Sequence, residues 1–116
     1  MLFSDSMKKT RQFQNVYKNG KSCADKFVVM YVWKNGTSSN SIGISCSKKI
    51  GNSVVRHRFA RLVREAYRLH EDMFNSGLDI VIVARACAID ATFHDIERSL
   101  ISLAGKARII QDGGEK

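Results

Sequence analysis

Residues 78–84, Leu-Asp-Ile-Val-Ile-Val-Ala, are apolar at every position except Asp79. The run does not alternate, is rich in β-branched side chains and is too short for an ordinary helix. It reads as a strand buried on both faces. Such a strand needs a sheet around it and other elements over that sheet. With 116 residues the chain has room for one domain, 1–116, near the commonest domain size. Hydrophobic residues at 44% and charged residues at 26% supply a core and exclude a disordered tail. No proline, repeat or low-complexity stretch marks an internal boundary, and residues 111–116, polar with two glycines, read as a frayed end.

The other elements follow from periodicity and end signals. Thr10 caps a helix over 10–19, with Phe13, Val16 and Tyr17 on one side and Gly20 as the stop. Lys21–Ala24 reads as a short strand and Phe27–Trp33 as a longer one. Lys34-Asn35-Gly36 is a turn, and a strand over Ser41–Ser47 then closes a hairpin with the one before it. Asn52 or Ser53 caps a long helix from Val54 to about Asn75, ended by Ser76-Gly77. Thr92 and Asp95 cap a last helix whose apolar stripe is Phe93, Ile96, Leu100, Leu103 and Ala107. The order α-β-β-β-α-β-α predicts one four-stranded mixed sheet with helices packed on it, an α/β or α+β sandwich.

Several classes are excluded early. No apolar run reaches the roughly 18 residues that a membrane span needs. The start, Met1 to Met7, lacks the long apolar stretch of a signal peptide. Cys23, Cys46 and Cys87 are odd in number, far apart and without a CxxC pair, which argues against a disulfide framework or a zinc site. They read as small buried apolar side chains in a chain suited to a reducing cytoplasm.

Charge is unevenly spread. The net is +8 with an isoelectric point near 9.7. Residues 1–21 carry five basic and one acidic residue, and residues 48–68 carry seven and one, whereas residues 69–116 are net negative with five and eight. Concentration of one sign in two blocks points to a polyanion, because a charge serving only solubility intersperses both signs.

The central block has a geometry. At about 100° per residue, Val55, Phe59, Leu62, Val63, Ala66, Leu69 and Met73 gather on one side of the long helix. Arg61, Arg64 and Arg68 fall opposite, with Arg58 at the flank and Glu65 the only acid among them. Like charges at these spacings repel by roughly 0.2–0.5 kcal/mol per pair. Arg56 and Arg58 occupy the first turns, where the helix dipole favours anions. Lys48 and Lys49 precede the helix, and Gly51 permits a close approach or a positive φ. A phosphate near Lys48, Lys49, Asn52 and the arginines would relieve the repulsion and use the free amides of the first turn. Phe13, Tyr17 and Tyr31 are either core residues or a stacking platform for unpaired bases; position alone does not choose between them. His70, beside the apolar stripe, reads as a boundary histidine.

The segment Ser47-Lys48-Lys49-Ile50-Gly51-Asn52-Ser53-Val54-Val55-Arg56-His57-Arg58, continuing to Arg68, closely resembles the signature of the protein subunit of bacterial ribonuclease P. Phe13 to Lys21 looks like that family's first helix and its exit, so the resemblance covers nearly the whole chain. It implies a small basic partner of a large catalytic RNA that removes the 5′ leader of precursor transfer RNA. The chemistry would lie in the RNA, with no catalytic residue and no metal ligand in the protein, and Mg would be required by the assembly. It also implies a left-handed crossover around the long helix, against the general rule. Arg56-His57-Arg58 onward would contact the catalytic RNA and the substrate. Phe13, Tyr17 and Tyr31 would line a cleft for the single-stranded leader, rimmed by Lys18, Lys21 and the arginine helix. No membrane and no obligate protein partner is expected. Two positions depart from the family pattern: His57 replaces an Asn, and Ala60 stands where a basic residue is common.

A free-standing nuclease would need paired carboxylates or a His/Lys acid–base pair. The acids are scattered through the C-terminal half, and His57, His70 and His94 lack metal-ligand spacing. A ribosomal-type structural RNA-binding protein is the remaining alternative; it would share the basic helix but not its combination with an aromatic first helix.

Overall fold

The computed structural model describes residues 4–107. The chain runs β1 (Ser4–Ser6), α1 (Thr10–Asn19), β2 (Lys21–Ala24), β3 (Val28–Lys34), β4 (Asn40–Ser45), α2 (Ser53–Leu69), β5 (Leu78–Ala84) and α3 (Phe93–Lys106). Short 3-10 turns at Glu71–Met73 and Ala86–Asp90 flank β5. The α+β architecture is as expected, but the sheet has five strands, in the order β1-β4-β5-β3-β2.

The apolar run is the central strand. β5 pairs antiparallel with β3 and parallel with β4. The expected β3–β4 hairpin therefore does not form, because β5 lies between its two strands. The physical reason is burial: the most apolar strand gains most from having neighbours on both edges. The Lys34-Asn35-Gly36 turn exists, with Gly36 at φ 78°, but it is fastened to β5. Asn35 N–H donates to Gly77 O at 2.9 Å, and Asn35 Nδ2 donates to Asp79 Oδ1 at 2.9 Å. The additional strand, β1, pairs parallel with β4; its sequence Ser-Asp-Ser carries no apolar alternation to announce it.

Both faces of the sheet are covered. Ile80 and Ile82 join Val28, Met30 and Ile42 against Phe59, Val63 and Ala66 of α2 and Ile96, Leu100 and Leu103 of α3. Val81 faces the other way, in a smaller cluster with Val16 of α1 and Met7, to which Phe13, Tyr31, Trp33 and Val83 are packed. The strict alternation of a strand sends these two sets to opposite sides.

α2 stops at Leu69 rather than near Asn75. Its task is to return the chain from the end of β4 to the start of β5. Seventeen residues span about 25 Å, close to the roughly 23 Å of a seven-residue strand, whereas 22 would overshoot that strand by about 10 Å. A buried polar cluster holds the junction. Asn40 Oδ1 accepts from Leu78 N–H at 2.9 Å, and Asn40 Nδ2 donates to Asn75 O at 2.9 Å. Tyr67 Oη lies 3.2 Å from Asn40 Nδ2 and 2.7 Å from Ser4 Oγ. Tyr67 is thus buried and belongs to the inner face of α2, while Leu69, expected there, is 49% exposed.

Two smaller expectations change. Thr10 is the first residue of α1 and not its cap; the backbone N–H of Lys9 donates to Gln12 Oε1 at 3.3 Å instead. Cys23 and Cys46 are half-buried but Cys87 is exposed, because it sits on the 3-10 turn outside the sheet. Residues 111–116, expected to fray, lie outside the described residues. No helix among the described residues is long and apolar enough to cross a membrane.

Candidate nucleic-acid interface

The cationic site begins where the chain leaves β4. Ile50 N–H donates to Ser47 O at 3.0 Å, closing a turn that leaves Lys48 and Lys49 exposed. Asn52 caps α2: its Oδ1 accepts from Val55 N–H at 3.0 Å. Gly51 is required for space and not for a positive φ, since a Cβ there would lie 2.5 Å from Val55 Cγ1. The first turn of α2 contains no acid. The anion-favouring end of the helix dipole is therefore left to cations.

The arginines divide into four kinds. Arg61 and Arg64 are exposed, and neither makes a hydrogen bond or ion pair among the described residues. Arg68 is forked onto Glu65, at 2.6 and 3.1 Å; that hydrogen bond holds the Glu65 carboxyl below its ordinary range. Arg58 turns toward the protein, donating from Nη2 to Ala91 O at 2.6 Å and from Nη1 to Ile89 O at 3.4 Å. It ties the connection between β5 and α3 to α2, a role nothing in the local sequence signals. Arg56 is half-buried, its Nε 3.4 Å from Asn52 O.

The aromatic residues are brought together. The Tyr17 and Tyr31 rings are 4.9 Å apart and nearly perpendicular, and Phe13 and Tyr17 are 6.4 Å apart. The Tyr17–Tyr31 pair is edge-to-face, which the ring quadrupoles favour, and the Phe13–Tyr17 pair is tilted. Phe13 lies over Gly43, where a Cβ would come within 2.7 Å of its ring. Phe13 and Tyr31 are half-buried in the smaller cluster, and Tyr17 is 40% exposed. Phe13 thus anchors the wall while Tyr17 presents it.

The structure does not make the arginine helix a rim of this wall. α1 and its aromatics cover one face of the sheet, and α2 covers the other with its arginine side turned outward. Arg61, Arg64 and Arg68 therefore point away from Phe13, Tyr17 and Tyr31. Two surfaces exist, one stacking and one cationic, back to back across the sheet. A groove of about 1150 Å³ lined by Lys21, Trp33, Lys34 and Lys106 belongs to neither. The described residues contain no group of three or more His, Cys, Asp or Glu side chains that could hold a metal ion.

The fold and these surfaces define a small basic α+β protein whose exposed charge suits a polyanion. Comparison with known proteins names the group more closely. The Ribonuclease P family pattern matches residues 2–108. The ribonuclease P protein component of Lachnoclostridium phytofermentans is 58% identical over 107 residues, covering 92% of this chain and 92% of that one. The solved Staphylococcus aureus RNase P protein superposes with a TM-score of 0.84 at 34% identity, covering 91% of this chain and 97% of that chain. The Thermotoga maritima protein gives 0.80 at 26%, covering 88% and 96%. Another solved S. aureus chain is a variant with defective mRNA degradation activity. This chain belongs to the ribonuclease P protein family.

Proposed function

We propose that the chain serves as the protein subunit of a ribonuclease P, seated between two RNAs. The observation that carries this reading is the back-to-back arrangement of an uncompensated cationic helix and an exposed aromatic wall. Lys48, Lys49, Arg56, Arg61 and Arg64 hold phosphates of the catalytic RNA, with Arg68 shared between RNA and Glu65. Tyr17 and Tyr31, supported by Phe13, stack on unpaired nucleotides of the 5′ leader of precursor transfer RNA, where stacking tolerates any base. The bond is cut by the RNA subunit with divalent Mg, and no residue of this chain is assigned to hold that ion. The protein's cations lower the Mg requirement by replacing ions that screen phosphate repulsion. The assembly works in the cytoplasm. Membership of this family sets aside the ribosomal-type alternative.

The test compares precursor and mature transfer RNA bound to the reconstituted complex. Tyr17→Ala should weaken binding of leader-bearing substrate by roughly 1–3 kcal/mol and leave mature transfer RNA nearly unchanged. Equal losses on both substrates would sink the leader assignment. Because an S. aureus relative is described through its mRNA degradation, RNA-free protein should be assayed on messenger RNA as well; cleavage there would move chemistry into the protein.

A further inference from the structure

The chain has three histidines, and two of them share one carboxylate. His70 Nε2 lies 2.8 Å from Glu97 Oε2, and His94 Nδ1 lies 3.5 Å from Glu97 Oε1. The third, His57, is exposed and makes no hydrogen bond or ion pair among the described residues. It stands one helical turn before Arg61 and two before Arg64. On an α-helix that places it about 40° from the first and about 20° from the second, inside the arginine face.

The charged groups around it are cations. Arg56 and Arg58 flank it in sequence, Arg61 and Arg64 follow it along the face, and Lys48 and Lys49 lie in the turn before the helix. The acid on this helix, Glu65, is two turns away and forked onto Arg68. Among the described residues, no group from another element bonds to the ring. His57 is thus the histidine without a carboxylate, on the surface where phosphates are to arrive.

A neutral imidazole offers one donor and one acceptor, and an imidazolium offers two donors and a charge. Only the charged form makes the short, charge-assisted bond with a phosphate oxygen. We propose that His57 is a phosphate ligand of the arginine face that binds in its protonated form, so that RNA binding takes up a proton at this residue. The inference rests on the reading of that face as RNA-binding. Its consequence is an affinity for RNA that rises as pH falls through the range where imidazole gains its charge.

The test is calorimetric titration of the full chain with ribonuclease P RNA near pH 6.5, in two buffers of different ionisation enthalpy and equal ionic strength. The dependence of the observed heat on buffer gives the protons taken up per complex. Wild type should take up a few tenths of a proton more than His57→Gln. Over pH 8 to 6 the affinity ratio of wild type to variant should grow by about 3- to 10-fold, since one linked proton can change affinity by at most about tenfold per pH unit. His57→Lys, which keeps a charge throughout, should bind with little dependence on pH and serves in place of His57→Gln if that variant does not fold. Equal proton uptake in wild type and variant, with binding intact, would overturn the role of His57 alone. Absence of salt-dependent binding in every form would overturn the reading of the whole face.

Discussion

α2 and α3 lie side by side on one face of the sheet and bury the same kind of apolar stripe, yet their outer surfaces are built on opposite principles. α3 satisfies itself. Thr92 Oγ1 accepts from Asp95 N–H at 3.1 Å, and Asp95 Oδ2 accepts from Thr92 N–H at 2.9 Å, a reciprocal capping box. Asp95 stands at the positive end of its helix, and Glu97 is shared by His70 and His94. α2 has a side-chain cap in Asn52 but no acid in its first turn, and leaves Arg61 and Arg64 without partners among the described residues. Two helices with the same packing duty need not differ in this way for stability. The difference separates a surface that the fold completes from one that it leaves uncompleted.

The largest expected effects test what the helices share. Phe59 of α2 is 2% exposed and Leu103 of α3 is fully buried. Phe59→Ala should cost about 3–5 kcal/mol and Leu103→Ala about 2–5 kcal/mol of unfolding free energy, the usual toll of a cavity in a packed core. Denaturant midpoints at constant slope would measure both. If one helix tolerated truncation while the other did not, the claim of equal packing duty would fail.

Next come the outer faces, where the helices should part. The double change Arg61→Ala with Arg64→Ala should lower the slope of log affinity against log salt by about 1.4 to 1.8, at roughly 0.7–0.9 per lost phosphate contact. Stability should move by no more than about 0.5 kcal/mol, because neither side chain has a partner among the described residues to lose. Arg98→Ala on α3, whose guanidinium lies 3.7 Å from Asp95, should leave the slope unchanged. A slope that responds equally to both helices would mean that the charge acts only as a diffuse field.

How much of this could be read beforehand depends on whether the cause was local. Residues 78–84 were readable to the residue because their burial is written into seven consecutive side chains. The Thr92–Asp95 box was readable because its partners are three apart. The insertion of β5 between β3 and β4 was not, since nothing in either strand encodes which neighbour comes from 40 residues away. Tyr67 was hidden for a related reason: its hydroxyl is satisfied by Ser4 and Asn40, both distant in sequence. At the site, the outward placement of Arg61 and Arg64 followed from helical spacing. The inward turn of Arg58 did not, because its acceptors are backbone carbonyls that any residues would supply. The separation of the aromatic wall from the arginine helix required knowing that α1 and α2 cover opposite faces.

The smallest effect concerns pH and again contrasts the two helices. The hydrogen bond from the Thr92 backbone holds the Asp95 carboxyl below its ordinary range, and the hydrogen bond from His70 does the same for Glu97. At Asp25 burial alone would raise the carboxyl, but hydrogen bonds from Ser99 and from the Val28 and Phe27 amides hold it low. A carboxyl depressed in the folded state contributes stability that is fully present above the unfolded values, about 3.9 for Asp and 4.3 for Glu. That contribution is lost as pH falls through the lower folded value, because the unfolded chain then takes up protons first. The denaturant midpoint should therefore fall as pH drops from about 5 to about 3. Asp95→Asn combined with Glu97→Gln should flatten that fall by more than Glu65→Gln does, since α2 has a single depressed carboxyl, on its exposed pair with Arg68. An equal flattening from the α2 variant would mean that the acid-dependent stability does not follow the completed surface of α3, and the contrast between the helices would rest on RNA binding alone.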